Sequence, residues 1–343
     1  MLHRDSYFDN AKFLLIFLVV FGHLIQQLTK DSATIQTLYY WIYIFHMPAF
    51  IFLSGFFAKG IGNKKYILKL VKKLLLPYVI FQVFYSSYYV WLGVESWDPL
   101  IMEPRWSLWF LLSLFSWHML LILFKRIPAI YGIPLAFSIG IAIGYVDTIG
   151  HELSLSRTIV FFPFFLLGYW VTKERLYKLK NNFIRVSSLV LMSVVAVAIA
   201  LTPDFSIVWL FGSSSYQALG LPGLGGLVQF GIYLLSTLMA ASVLVWIPSK
   251  QKMFTFIGQQ TIYVYLLHGI FIHFFRQGDY LKFDHAFDLV GLVILSVAIV
   301  ALLASKPVRT LTQPFIEGDY SMLKGWFSNN SNRKQRNVYV NNN

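Results

Sequence analysis

The histidine at position 23 has the residue type and the setting for acid–base chemistry inside a membrane. A wholly apolar run precedes it, and Lys12 stands eleven residues earlier in the sequence. At 100° per residue, eleven residues return to within about 20° of the same helix face, with a rise of roughly 16 Å. Both side chains therefore point the same way, and a neutral imidazole near the bilayer midplane can act as a base. A hydrogen-bonded core histidine would show the same spacing, so both roles stay open.

A second histidine, His46, lies in a helix that we expect to descend from the outer side at about Tyr39. Its depth from the outer face is then about 10 Å, close to that of His23. The two side chains should meet on adjacent antiparallel helices. Pro48 and Gly55 indicate an irregular or closely packed helix, which suits a cavity wall. A structural role for His46 is the alternative.

The third histidine of interest, His268, is predicted in the ninth apolar stretch, about 10 Å from the inner face. That depth places it at the inner half of the same cavity. His118 and His273 are less distinctive, and packing would account for them. No metal site is predicted, because no two spans show a paired-ligand spacing such as Glu-x-x-His and the chain has no cysteine.

Two surface segments add charge and aromatic rings. The predicted inner loop holds five lysines between positions 64 and 73, of which Lys69 and Lys72 share a helical face. Such a cluster would hold phosphates, or it would only contact anionic lipid. At the outer mouth of the fourth span, Trp106 and Ser107 combine aromatic and polar groups that suit a sugar face. Tryptophan is also common at membrane interfaces without any role in ligand binding.

The elements that must position these residues are transmembrane helices. The chain has 343 residues, is 57% hydrophobic and 13% charged, and has a mean hydropathy of +0.63, whereas a soluble domain is nearer a quarter charged. The predicted fold is all-α, a polytopic membrane helix bundle with about ten transmembrane helices. The predicted spans are 11–28, 39–58, 75–93, 107–124, 129–146, 158–172, 184–201, 226–247, 261–276 and 286–305.

The distribution of basic residues predicts the orientation of the chain. If both termini are cytoplasmic, all but five of the 28 Lys and Arg residues fall on the inner side, as the positive-inside rule requires. The net charge of +13 is then explained by contact with membrane lipid, and no nucleic-acid partner is expected. We predict one membrane domain over residues 1–327 and a disordered cytoplasmic tail over 328–343.

Four motifs occur along the chain. The first is a pair, Lys12 and His23, separated by ten residues. The others are Phe-His-Met-Pro at 45–48 followed by Phe-Leu-Ser-Gly at 52–55, Trp-Ser-Leu-Trp-Phe-Leu at 106–111, and Tyr-Val-Tyr-Leu-Leu-His at 263–268. With these motifs the chain resembles the acyltransferase 3 superfamily. Within it, the chain is similar to the branch of fucose 4-O-acetylases and capsule O-acetyltransferases. The resemblance covers nearly the whole chain.

The resemblance implies a membrane-bound O-acyltransferase, most often an O-acetyltransferase. It would move an acyl group from cytoplasmic acetyl-CoA, a donor substrate rather than a bound cofactor, to a hydroxyl of a cell-envelope or extracellular glycan. The implied location is the bacterial plasma membrane. A transporter or flippase for a glycan or lipid-linked sugar is the alternative, since it would also need a polar cavity within the membrane.

The resemblance also implies roles for single residues. His23 would be the essential histidine, acting as a base or forming an acyl-imidazole. His46 would orient it or stabilise charge on the thioester oxygen. Contact with substrate is expected for Trp106, Ser107 and His268. The coenzyme phosphates would be bound by Lys12, Lys69 and Lys72. Family members often carry Arg-x-x-Arg where this chain has Lys69-Leu70-Val71-Lys72, which keeps the charge and loses bidentate geometry.

Overall fold

The computed structural model describes residues 5–60, 62, 64–97, 100, 102–147 and 154–318, and the regular structure within these ranges is helical, with no strand. The all-α prediction is therefore confirmed for them. The α-helices are α1 (Ser6–Ile25), α2 (Ala33–Phe56), α3 (Lys64–Leu70), α4 (Leu76–Trp91), α5 (Trp109–Phe124), α6 (Ala129–Ala142), α7 (Leu155–Trp170), α8 (Lys173–Lys178), α9 (Asn182–Leu201), α10 (Gly225–Trp246), α11 (Thr255–Gly258), α12 (Thr261–Gln277), α13 (Ala286–Leu303) and α14 (Lys306–Glu317).

Six helical stretches in the described ranges are long and apolar enough to cross a membrane, and they contain α1, α2, α5, α9, α10 and α13. Two shorter apolar stretches contain α6 and α7. The two other predicted spans coincide with α4 and α12, which have 16 and 17 residues. Each predicted span therefore contains a helix, while the number of crossings stays a prediction. The predicted tail, 328–343, lies outside the described residues.

Helix starts differ from the prediction where a capping side chain decides the boundary. The second helix begins at Ala33 rather than near Tyr39, because the Ser32 hydroxyl accepts a hydrogen bond from the Ile35 N–H at 3.4 Å. The basic segment predicted as a loop is mostly helical, since α3 continues through a π-helical turn at Val71–Leu75 into α4. The lysines of this segment therefore lie on a helical extension of α4.

The centre of the bundle is the pair α1 and α2. The first helix packs against α2, α12 and α13, and the second packs against α7, α9 and α10. Helices α2 and α7 approach until their backbones touch. A Cβ atom on Gly55 would collide with the Phe165 carbonyl, and one on Gly168 would collide with the Phe52 carbonyl. The close packing that the sequence predicted around Gly55 is thus confirmed.

We call the end of the bundle where α1 starts, with Lys12, the lysine end, and the end where α1 finishes, with His23, the histidine end. Polar contacts hold the lysine end together. Asn10 donates to the carbonyls of Pro248 and Lys250 at 2.8 and 2.9 Å. Its own oxygen accepts from the Thr255 hydroxyl at 2.6 Å. These bonds fix the start of α1 against the chain that leads into α11 and α12.

An ion pair between Asp5 and Lys173, at 2.7 Å, joins the start of α1 to α8. Partial burial acts to raise the pKa of the Asp5 carboxyl, but hydrogen bonds from Lys173 and the Tyr7 N–H outweigh it and lower that pKa. The same contact raises the pKa of Lys173. Both groups are therefore charged throughout the neutral pH range.

Candidate functional site

Three histidines from three helices meet near the histidine end. The Nδ1 atom of His23 on α1 lies 3.1 Å from the Tyr43 hydroxyl of α2. The Tyr43 ring lies edge-on to His46, one turn along α2, with centroids 4.5 Å apart. The ring of His268 on α12 stacks near that of His23, with centroids 5.6 Å apart. The sequence predicted that His23 and His46 meet, and Tyr43 lies between them in contact with both.

A cavity of about 310 Å³, which we call the histidine cavity, opens beside these rings. That volume is at the small end of the range typical of ligand sites, about 300–1,000 Å³. Its described lining consists of His23, Gln26, Tyr43, His46, Met47, Pro104, Trp106, Ser107, Trp109, Arg157, Phe161, Leu210 and Phe211. Four of the residues predicted from the sequence, namely His23, His46, Trp106 and Ser107, are therefore brought to one cavity. His268, also predicted to line it, is not part of the described lining.

Backbone carbonyls set the protonation of two of the histidines. The Nδ1 atoms of His46 and His268 lie 2.9 and 2.6 Å from the carbonyls of Ile42 and Tyr265. A carbonyl only accepts, so each Nδ1 carries a proton and each Nε2 keeps its lone pair. Among the described residues, the buried Nε2 of His268 has no hydrogen-bond partner. A buried, unpaired basic nitrogen beside His23 is unusual outside functional sites.

Trp106 occupies the centre of this arrangement in a backbone conformation that favours glycine, with φ of 42°. Its ring contacts those of His23, His268 and His273, with centroid distances of 4.5, 5.0 and 4.6 Å. Gly269 makes room for it, since a Cβ there would lie 2.7 Å from the indole. Strained residues of this kind are concentrated at active sites and ligand clamps.

Ser107, the neighbour of Trp106, is almost fully buried and lines the histidine cavity. Its carbonyl accepts a hydrogen bond from the Tyr265 hydroxyl. This bond joins the segment before α5 to α12, one turn before His268. Ser107 therefore contributes to positioning the wall, in addition to facing the cavity.

The lysines predicted to bind phosphates lie elsewhere. Lys12 forms an ion pair with the buried Asp9 at 2.7 Å, and its ammonium group is 5.3 Å from the Phe57 ring centre. Lys69 and Lys72 are exposed on α3 and the π-helical turn. None of the three is part of the described lining of the histidine cavity. Contact of these three lysines with the coenzyme phosphates stays a prediction.

A small pocket of about 30 Å³, which we call the narrow extension, lies beside the histidine cavity on the side of the lysine end. It is lined by His23, Met47, Ser107 and Trp109, and also by Ile16, Val19, Phe50, Phe110 and Tyr265. Ile16 and Val19 stand between Lys12 and His23 on one face of α1, because offsets of four, seven and eleven residues share a helix face. His23 is therefore at the junction of the cavity and the extension.

The cavity lining includes residues that were not identified from the sequence, among them Arg157, Tyr43 and the pair Leu210 and Phe211. Arg157 was counted only as an outer-loop residue, although a charge beside an apolar helix is a signal of function. Tyr43 lies three residues before His46 and so shares its helix face. The pair Leu210 and Phe211 belongs to the 3₁₀ turn Ile207–Phe211. No local pattern in the sequence indicated that this turn would cover the cavity.

A second cavity, of about 290 Å³, lies on the other side of Trp106 and shares Pro104 and Trp106 with the first. We call it the glutamate cavity. Its remaining described lining consists of Tyr89, Glu95, Leu100, Glu103, Arg105 and His273. Glu95 and Arg105 form an ion pair, and the Tyr89 hydroxyl is 2.9 Å from Nε2 of His273. The sequence had not indicated this cavity.

No group of three or more His, Cys, Asp or Glu side chains is arranged to hold a metal ion within the described part of the chain.

The helices and the histidine cavity define a multi-pass membrane protein with a buried, histidine-lined site. The sequence model of the acyltransferase domain family, acyltransferase 3, matches residues 5–305. The chain belongs to this family of acyltransferases, as its motifs predicted. Residues 5–305 contain α1 to α13 and therefore every residue of the histidine cavity.

Similar proteins carry the same name in two organisms. The nodulation protein NolL of Sinorhizobium fredii is 26% identical over 321 residues, which are 87% of this chain and 85% of that protein. The nodulation protein NolL of Mesorhizobium japonicum is 43% identical over 61 residues, or 17% of this chain and 16% of that protein. No solved structure matches the chain.

Proposed function

We propose that this acyltransferase is a membrane-bound O-acetyltransferase that moves an acetyl group from acetyl-CoA to a hydroxyl of a cell-envelope or extracellular glycan. The lysine end faces the cytoplasm and the histidine end faces outward. In this orientation about ten helices cross the bacterial plasma membrane and both termini are cytoplasmic. The proposal is supported by the family of the chain and by the excess of Lys and Arg at the lysine end.

The observation that carries the proposal is the position of His23 between the histidine cavity and the narrow extension. An acyl group that arrives from the lysine end and a hydroxyl that arrives from the histidine end would reach the same imidazole. The extension has about the volume of one or two water molecules. Entry of the pantetheine arm therefore requires side chains of the extension, such as Ile16 and Phe50, to move aside.

In the proposed reaction, His23 acts as the base. Its Nδ1–H is donated to the Tyr43 oxygen, which leaves Nε2 to accept the proton of the acceptor hydroxyl. The hydroxyl oxygen bonds to the acyl carbon, the carbon–sulfur bond breaks, and His23 returns the proton to the departing thiolate. The products are the ester and free coenzyme A. An acyl-imidazole on the same Nε2 would divide this reaction into two steps.

The other predicted residues have supporting parts in this proposal. His46 holds the Tyr43 ring edge-on and so orients His23. His268 supports the rings of His23 and Trp106, with centroids 5.6 and 5.0 Å away, and Trp106 and Ser107 form the wall against which the sugar packs. Lys12, Lys69 and Lys72 attract the coenzyme phosphates at the lysine end. Asp9 holds Lys12 in place for this contact.

The test follows labelled acetyl groups from acetyl-CoA into membrane glycans. Membranes with the parent protein are compared with His23→Ala, His23→Gln and His118→Gln at matched protein levels. His118 is the matched control, because it is a buried histidine whose Nδ1 contacts the Leu114 carbonyl at 2.7 Å and it is not part of the described cavity lining. Loss of a general base costs about 10²–10⁴-fold in rate.

We expect the parent and His118→Gln to label a glycan and both His23 variants to lose labelling. Equal labelling by the parent and His23→Ala would show that His23 is structural. If no protein consumes the donor with candidate glycans supplied, while vesicles with the parent protein move a glycan across the membrane, the transporter alternative is correct.

A further inference from the structure

The charged side chains at the described wall of the histidine cavity are positive. Arg157 is its only charged residue among those of the described lining, which include no Asp or Glu. A second cation stands behind the wall, because Arg276 donates a hydrogen bond to the Gln26 amide oxygen at 3.0 Å. Gln26 itself lines the cavity. The cavity is therefore a positive site within a largely apolar bundle.

Within the described part of the chain, the guanidinium group of Arg157 contacts an aromatic ring and forms no ion pair with an acidic side chain. It lies 5.3 Å from the Trp109 ring centre, a cation–π contact that leaves the N–H groups in the guanidinium plane available. The ion pairs of the described residues involve Asp5, Asp9 and Glu95, and none includes Arg157. A half-buried cation without a counter-ion is costly unless a ligand supplies the opposite charge.

The chemistry of the arginine side chain indicates what that ligand carries. A guanidinium group binds carboxylate and phosphate through two parallel hydrogen bonds. The rings of Trp106 and Trp109 on the same wall provide apolar faces for a sugar ring. Because Arg157 and His23 line one cavity of about 310 Å³, a single sugar or a disaccharide can reach both.

We propose that Arg157 selects an acceptor glycan that carries a carboxylate or phosphate group close to the hydroxyl that is acylated at His23. This inference rests on the proposed O-acyltransferase function and names the class of its acceptor. Arg157 binds the acidic group, and the sugar ring packs against the tryptophans. The target hydroxyl is then presented to His23.

The first experiment measures binding to the purified full-length protein in nanodiscs. The probes are galactose, galacturonic acid and galactose 6-phosphate, which share a ring and differ in charge and in the type of acidic group. Parent protein is compared with Arg157→Gln, Arg157→Lys and Arg185→Gln. Arg185 is the matched control, since its guanidinium group lies 6.0 Å from the Trp246 ring centre, outside the described lining of the cavity.

We expect at least one acidic sugar to bind the parent about tenfold or more tightly than galactose. The identity of the tighter-binding sugar shows whether the site prefers a carboxylate or a phosphate group. Arg157→Gln should abolish this difference, and Arg157→Lys should keep only part of it because bidentate geometry is lost. Arg185→Gln should bind as the parent does. Equal affinity of the parent for all three sugars would overturn the proposal.

The second experiment separates this inference from the proposed function. Acetyl transfer to a neutral and an acidic oligosaccharide of equal length is measured for the parent and Arg157→Gln. The expected result is a KM for the acidic acceptor raised about tenfold or more, and a clearly smaller rise in the KM for the neutral acceptor. An equal fall in kcat for both acceptors would instead show that Arg157 stabilises the reacting oxygen, which contradicts the inference. If acidic sugars bind selectively but no transfer depends on His23, the anion site is supported and the proposed function is wrong.

Discussion

The histidine cavity and the glutamate cavity share a wall at Trp106 and have nearly equal volumes, and each contains a hydrogen-bonded tyrosine and histidine. Their surroundings differ. His23 lies beside a second imidazole whose Nε2 has no hydrogen-bond partner among the described residues, and it also lines the narrow extension. The described residues around His273 include two glutamates. A tyrosine–histidine pair by itself therefore does not distinguish the two cavities, whereas the neighbouring charges and pockets do.

Removal of the shared wall should have the largest effect. Trp106→Ala would join the two cavities and remove the ring that His23 and His268 pack against. We expect acyl transfer to fall by a factor on the order of 10² or more, with a destabilisation of about 3–5 kcal/mol. Acyl transfer and thermal unfolding of the purified protein measure the two effects.

Trp106→Phe controls for the loss of stability in that experiment, because phenylalanine keeps an aromatic wall. It should retain most of the activity and most of the unfolding temperature. Unchanged transfer in a stable Trp106→Ala protein would mean that the separation of the two cavities is irrelevant to the reaction.

Paired histidine variants should give the next largest effect. His268→Gln removes the unpaired Nε2 beside His23 and is expected to reduce kcat/KM for acyl transfer by about 10- to 100-fold. His273→Gln, on the glutamate side of Trp106, should stay within about twofold of the parent. Steady-state kinetics with saturating acetyl-CoA measure both. The reverse order of effects would place the reaction in the glutamate cavity.

Paired tyrosine variants should give the smallest effect. Tyr43→Phe keeps the aromatic ring and removes one hydrogen bond to His23, which has a net value of about 1 kcal/mol and corresponds to about a fivefold loss of kcat. Tyr89→Phe removes the equivalent bond to His273 and should leave kcat unchanged. An equal kcat for both variants would contradict a specific role for the Tyr43 hydroxyl in the reaction.

Four residues of the histidine cavity were predictable, and for the two histidines the reason is that spacing along a helix determines face and depth. Positions 12 and 23 share a face of α1, and the depths of His23 and His46 follow from the rise per residue. Trp106 and Ser107 were indicated by aromatic and polar groups at a helix mouth. Arg157 was also visible in the sequence, as a charge at the start of an apolar stretch, but its direction depends on the packing of α7.

The glutamate cavity was not predictable, because Tyr89 on α4 and His273 on α12 become neighbours only through packing across the bundle. The two helices that carry them are the predicted spans that belong neither to the six candidate crossings nor to the two shorter apolar stretches. Their polar and aromatic side chains, including Gln82, Tyr85 and His268, lower the apolar content of helices that serve the site. Polarity at a functional site thus weakens the signal that would reveal the span.

The contact of α2 and α7 at Gly55 and Gly168 has a consequence for mutational sensitivity. These glycines lie toward the lysine end, and nine residues of helix, or roughly 14 Å, separate Gly55 from His46. Any side chain at either position would push the two helices apart and change the angle between them. The helix α2 carries His46 and α7 carries Arg157. A small change in the crossing angle at the glycines therefore moves these two side chains relative to each other. Harmful natural variation should therefore include both glycines, although neither can touch a substrate.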